Sequence, residues 1–144
     1  MTEAPILLVE DNDDDADLTA MAFRDAKVAN PIVRVRDGVE ALEHLHGSEG
    51  KPPSALPVVV LLDIKLPRVN GLEVLKIIRT TERTRHLPVV MLTSSDEQSD
   101  RIEAYENFAN SYVRKPVNYD DFVSASRQLG LYWTLTNMPP PLRR

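Results

Sequence analysis

Apolar positions along this chain alternate between two kinds of pattern. Ile6 to Val9 and Val58 to Leu62 are short uninterrupted runs without the polar alternation of a half-exposed strand. They read as strands covered on both faces, as in parallel sheets. Ile32, Val33 and Val35 make another short strand, Pro88 to Leu92 a fourth, and Ser111 to Val113 a shorter fifth. Between these runs the apolar residues recur at helical spacing. An acidic cluster from Asn12 to Asp15 opens a helix reaching about Val28, with Leu18, Met21, Ala22 and Ala26 in its pattern, and Asn30-Pro31 breaks it. Asp37-Gly38 turns into a second helix carrying Val39, Leu42 and Leu45. A third, Leu72 to about Thr80, directs Val74, Leu75 and Ile78 inward. Glu97 to Phe108 sets Ile102, Tyr105 and Phe108 on one side of a fourth, and Tyr119 to Leu131 is the last.

Strand and helix thus alternate five times. This predicts an α/β fold, a flavodoxin-like doubly wound parallel sheet of five strands in the order 2-1-3-4-5 with helices on both faces. A closed α/β barrel would need far more chain. The connection from Gly47 to Pro57 is longer than usual and, rich in Gly, Pro and Ser, reads as an exposed loop. Residues 1–131 are expected to form one domain. The extension 132–144, apolar and aromatic first and then proline-rich, is too short for an output module.

Composition narrows the function classes. The chain has 144 residues, of which 42% are hydrophobic and 27% charged, as expected of a soluble globular domain. A net charge of -5 without a basic face argues against nucleic acid as the main partner. There is no cysteine, hence no thiolate ligand or cysteine nucleophile. No apolar run approaches the ~20 residues of a membrane span, and the N-terminus has no secretion-signal pattern. A cytoplasmic location is expected, with neither membrane nor nucleic acid as partner.

The chemistry gathers at the strand ends. The first strand ends in Glu10 and Asp11, the third in Asp63, the fourth in Thr93, and the fifth in Lys115-Pro116. In the predicted order these ends converge on the edge where open α/β sheets bind ligands. Three carboxylates there repel one another unless a cation lies among them, and hard oxygen ligands suit Mg²⁺. A hydroxyl and an ammonium opposite them suit an anionic oxygen group. Together they describe phosphoryl transfer onto Asp63.

On these residues the chain resembles the receiver domain of two-component response regulators, from about Pro5 to Leu131. Glu10-Asp11 matches the acidic pair and Asp63 the phosphorylated aspartate, with Pro67 and Gly71 four and eight residues later. Thr93-Ser94 matches the switch hydroxyl and its small neighbour, Tyr112 the aromatic switch residue, and Lys115-Pro116 the Lys-Pro pair. The resemblance implies Mg²⁺ bound by Asp11, Asp63 and the main-chain carbonyl of Lys65, with Glu10 acting through water. It implies a sensor histidine kinase as phosphoryl donor. Thr93, Lys115 and backbone N–H groups near Lys65 and Ser94 would hold the phosphoryl oxygens, and Lys115-Pro116 would be cis. Movement of Thr93 and Tyr112 would remodel the face of the fourth helix, fifth strand and fifth helix, read by a downstream protein or phosphotransfer partner.

The long loop and the tail also resemble the single-domain regulators associated with bacterial phytochromes, which would make the kinase a light sensor. The same face with Leu131, Tyr132, Trp133 and Leu135 is expected to form a homodimer interface.

Several features receive plainer readings. Asp13 to Asp15 serve as a helix cap. A calcium loop starting at Asp11 fails, with Ala16 and Ala22 where glycine and glutamate are needed. His44, His46 and His86 read as surface residues, and the arginines from Arg79 to Arg85 as a solvated turn. The alternative function is a small Mg²⁺-dependent phosphatase of the haloacid dehalogenase class, with Asp11 of Asp11-Asn12-Asp13 as nucleophile. Length and the Asp63-Pro67-Gly71 spacing argue against it.

Overall fold

The computed structural model describes residues 4–93, 98–109, 111–114 and 119–130. Five strands and five helices alternate: β1 (Ile6–Val9), α1 (Asp13–Asp25), β2 (Ile32–Val35), α2 (Gly38–His46), β3 (Val59–Leu62), α3 (Gly71–Thr80), β4 (Val89–Thr93), α4 (Gln98–Glu106), β5 (Ser111–Arg114) and α5 (Tyr119–Gly130). The strands are all parallel, in the order β2-β1-β3-β4-β5. The expected fold class and strand order are therefore those observed.

Alternate strand residues face opposite sides of the sheet, which splits the core in two. Leu7, Val9, Val60, Leu62 and Met91 pack under α2 and α3 with Ala41, Leu45, Val74, Leu75 and Ile78, while Ala104 of α4 joins the same layer. Ile6, Leu8, Val59, Leu61 and Val90 pack on the other side with Ala16, Ala22 and Phe23 of α1. Continuous apolar runs were needed because both faces of these strands are buried.

Several sequence expectations need correction. α1 ends at Asp25, three residues before Val28. Lys27 takes a left-handed conformation (φ 62°), its N–H donates to the Arg24 carbonyl at 2.9 Å, and the Val28 N–H donates to the Phe23 carbonyl at 3.0 Å. This is a Schellman turn, built here without the customary glycine. Leu18 and Met21 are 40% and 41% exposed, and Thr19 is buried instead, its hydroxyl donating to the Asp15 carbonyl at 2.9 Å. Polar Thr19 can occupy the inner face because that bond satisfies its hydroxyl.

Asn12 rather than Asp13 to Asp15 is the N-cap of α1, accepting from the Asp15 N–H at 2.9 Å. α4 stops at Glu106, with Phe108 beyond it in the left-handed region (φ 63°). The Ile102, Tyr105 and Phe108 side faces solvent, Phe108 being 73% exposed. The strand limits shift by one residue, from Val58 to Val59 and from Pro88 to Val89.

The arginines from Arg79 to Arg85 are more than a solvated turn: Arg83 is exposed, yet both it and Arg79, which lies in the last turn of α3, bond backbone carbonyls. Arg79 donates to the carbonyls of Leu87 (2.6 Å) and Phe108 (2.8 and 3.1 Å), joining the end of α3 to the residues just before β4 and just after α4. Burial lowers its pKa. Arg83 donates to Leu45 (3.2 Å) and Ser54 (3.0 Å), pinning the long loop, whose residues 48–55 are exposed as expected. Nor is His46 a surface residue. It is half-buried, its Nε2 lying 2.8 Å from the Thr84 hydroxyl, which in turn donates to the Ile78 carbonyl. Ser94, Lys115-Pro116 and the extension from Leu131 lie outside the described residues.

Candidate functional site

Two strand tips carry the site. Glu10 follows β1 directly and its N–H donates to the Val35 carbonyl at 3.1 Å, extending the sheet ladder by one rung. Its side chain is buried (2% exposed) and Oε2 accepts from the Asn12 N–H at 3.3 Å. Asp11, next along, is exposed. Asp63 follows β3, its N–H donating to the Val9 carbonyl at 3.3 Å, and its side chain is buried as well. One carboxylate oxygen from each of Glu10, Asp11 and Asp63 lies within 4.8 Å of the others. The parallel register of β1 and β3, which pairs Val9 with Leu62, creates this convergence by ending both strands at one level.

Three carboxylates so close, two of them buried, form a site of strong mutual repulsion that a cation relieves. Every donor is a hard oxygen, with no imidazole or thiolate among the three. This donor set fits a hard divalent ion that keeps some of its water.

The loop after Asp63 is tightly drawn. The Gly71 N–H donates to the Ile64 carbonyl at 2.8 Å, and a Cβ on Gly71 would overlap the Asp63 carbonyl oxygen. Glycine is required there by close approach and not by an unusual φ. Arg68 has φ 69° and its guanidinium reaches Asp37 Oδ2 at 3.2 Å, while Asp37 Oδ1 caps α2 by accepting from the Glu40 N–H at 2.8 Å. Gly38, the first residue of α2, likewise leaves no space for a Cβ beside the Val69 carbonyl. The loop is thus anchored to the start of α2. Asn70 ends it by capping α3, accepting from the Glu73 N–H at 3.0 Å. Lys65 is exposed, and its N–H points towards Asp63 Oδ1 at the long distance of 3.4 Å.

Of the other expected residues, Thr93 is the last residue of β4 and Tyr112 lies in β5, paired in register with Met91. Lys115 immediately follows β5 but lies outside the described residues.

Arg34 was missed from the sequence. It stands on β2 with its Nε donating to the Glu10 carbonyl at 2.9 Å and its Nη1 to Asp13 Oδ1 at 2.8 Å. Arg36 reaches the same Asp13 oxygen at 2.9 Å. The hydrogen bond from Arg34, then the charge of Arg36, holds the Asp13 carboxyl below its ordinary value. The only sequence signal was an arginine alternating with apolar residues in a strand, which says nothing of its partner.

Comparison with known proteins gives the same reading. The family described as the response regulator receiver domain matches residues 6–127. The probable methanogenesis regulatory protein FilR2 of Methanothrix harundinacea is 43% identical over 94% of this chain and 86% of its own length. The Mn²⁺-bound form of response regulator Rcp1, a Synechocystis protein, superposes with a TM-score of 0.84 at 31% identity, covering 96% of this chain and all of that one. The phosphorylated cyanobacterial phytochrome response regulator RcpA gives 0.89 at 31% identity, covering 97% and 100%. None of this supports the phosphatase alternative. With the sheet order, the convergent strand tips and a family match spanning nearly all of the described fold, the chain belongs to the response regulator receiver family and counts phytochrome-associated regulators among its relatives.

Proposed function

We propose that this chain receives a phosphoryl group on Asp63 from a sensor histidine kinase and passes the signal on through its own surface. The observation that carries this reading is the buried Asp63 carboxylate at the tip of β3, within 4.8 Å of those of Glu10 and Asp11. An Asp63 oxygen attacks the phosphorus of phosphohistidine in line. The new O–P bond forms as the P–N bond breaks, and the imidazole leaves with the electron pair and takes a proton. Asp11, Asp63 and the Lys65 carbonyl would hold Mg²⁺ directly, and Glu10 through water. The ion supplies positive charge against the phosphoryl oxygens.

Thr93 and Lys115 are assigned to those same oxygens, from the ends of β4 and β5. Phosphorylation adds roughly two negative charges, and Thr93 and Tyr112 respond as the switch pair. The chain is a stoichiometric acceptor and not an enzyme turning over a substrate. The receiver spans residues 1–131 and the extension 132–144.

The likeness to Rcp1 and RcpA supports a phytochrome kinase as donor, a divalent metal and a phosphorylated state. The exposed Ile102 and Tyr105 on α4 support a homodimer through the α4, β5 and α5 face and the tail. The acidic balance and the lack of any described helix able to cross a membrane support a cytoplasmic signalling role, with neither nucleic acid nor membrane as partner.

Incubation with Mg²⁺ and acetyl phosphate, followed by intact mass measurement, tests the assignment. The wild-type chain should gain one phosphoryl group, and Asp63→Asn should gain none. Labelling that persists in Asp63→Asn and disappears in Asp11→Asn would move the nucleophile to Asp11.

A further inference from the structure

Arg34 lies in β2 on the sheet face covered by α1, in register with Leu8, and its side chain is only 22% exposed. Its two bonds to the β1–α1 connection end on the Glu10 carbonyl and the Asp13 carboxylate. Those acceptors bracket Asp11, one residue before it and two after. Asp11 is the exposed member of the carboxylate trio, and among the described residues its carboxylate has no hydrogen-bond partner of its own. Its place is therefore set by the backbone on either side, and Arg34 holds that backbone.

We propose that Arg34 is a positioning residue for the cation site. By gripping the chain before and after Asp11, it fixes where that carboxylate stands relative to Glu10 and Asp63. The proposal rests on reading those three as a cation site. A guanidinium can serve two acceptors lying in different directions, whereas an ammonium on the same stem is a single point of charge. A loop held in place before the ion arrives loses less conformational freedom on binding, so affinity rises. Arg36 supplies the comparison. It lies at the same Asp13 oxygen with the same charge but, among the described residues, makes no bond to the Glu10 backbone.

The sign of the effect separates positioning from simple charge. Removing a cation from beside an acidic site, and releasing Asp13 with it, strengthens metal binding by Coulomb attraction. Loss of positioning weakens it. Mn²⁺ binding to the full chain, read from the electron paramagnetic resonance signal of free Mn²⁺ at constant ionic strength, decides between them. Arg34→Met, which retains the apolar stem, should bind roughly tenfold more weakly, the scale of lost outer-shell support. Arg34→Lys should be similarly weak, and Arg36→Met should match or exceed the wild type.

Melting in EDTA checks that each variant folds, and Arg34→Gln replaces Arg34→Met if the latter does not. Unchanged or tighter binding in the Arg34→Met or Gln variant, or full affinity in Arg34→Lys, overturns the proposal. A wild-type chain that binds no Mn²⁺ overturns the cation-site reading itself, a result distinct from equal binding by wild type and variant.

Discussion

The closest constraint at the residue scale lies next to the proposed phosphoacceptor. Gly71 begins α3, and any Cβ there would run into the Asp63 carbonyl oxygen. Backbone cannot yield as a flexible side-chain tip can. Gly71→Ala should destabilise the domain by about 2–4 kcal/mol, the range of severe overpacking. A lowered urea midpoint with an unchanged slope is the expected readout, and wild-type stability would contradict it. Glu10, Asp11 and Asp63 were legible in the sequence because a buried run that stops at a carboxylate announces a strand tip. Arg34, Arg79 and Arg83 were not legible, because each bonds a carbonyl distant in sequence and identical in every residue type. A carbonyl leaves no trace in the residue alphabet.

At the scale of elements, the helix starts were easier to read than the ends. Asn12, Asp37 and Asn70 each accept from the N–H three residues on, and each is a side chain suited to an N-cap. α1 and α4 instead close through Lys27 and Phe108 at positive φ, where glycine would be the usual signal. Lys27→Gly should stabilise the domain by about 0.5–1 kcal/mol by relieving the left-handed strain, net of the added freedom of the unfolded chain. Thermal and urea unfolding both report it, and a loss of stability would show that the turn tolerates Lys27 without strain. The apolar side of α4 was visible in the sequence, but its outward direction was not. Among the described residues of α4, Ala104 reaches the core, and the larger Ile102 and Tyr105 are left outside.

Over the whole molecule, a second network lies at the opposite end of the sheet from the site. His46 at the end of α2 meets Thr84 in the connection between α3 and β4, Arg83 ties that connection to α2, and Arg79 in the last turn of α3 bonds both the connection at Leu87 and Phe108 just beyond α4. Because the Thr84 hydroxyl donates to Ile78, the His46 Nε2–H donates to Thr84, and the ring is complete without a second proton. Burial, then the charge of Arg83, lowers the His46 pKa. The folded protein thus binds this proton less readily than the unfolded chain does. The contribution of neutral His46 is fully present above the unfolded value of about 6.5 and declines as pH falls below it towards the depressed folded value. Melting temperatures across this interval should fall with acidification in the wild type and fall less in His46→Gln. Parallel curves for the two would remove His46 from the account.

The sequence by itself determined the order of elements, the parallel sheet and the residues at its chemical edge. These follow from local signals: period, apolar continuity, capping residues, and carboxylates placed directly after buried strands. Tertiary structure decided that Glu10, Asp11 and Asp63 meet within 4.8 Å, that Gly71 has no room for a side chain, and that Arg34 grips the loop carrying Asp11. Those facts depend on register and on contacts between backbone groups far apart in the chain, which no single residue type encodes.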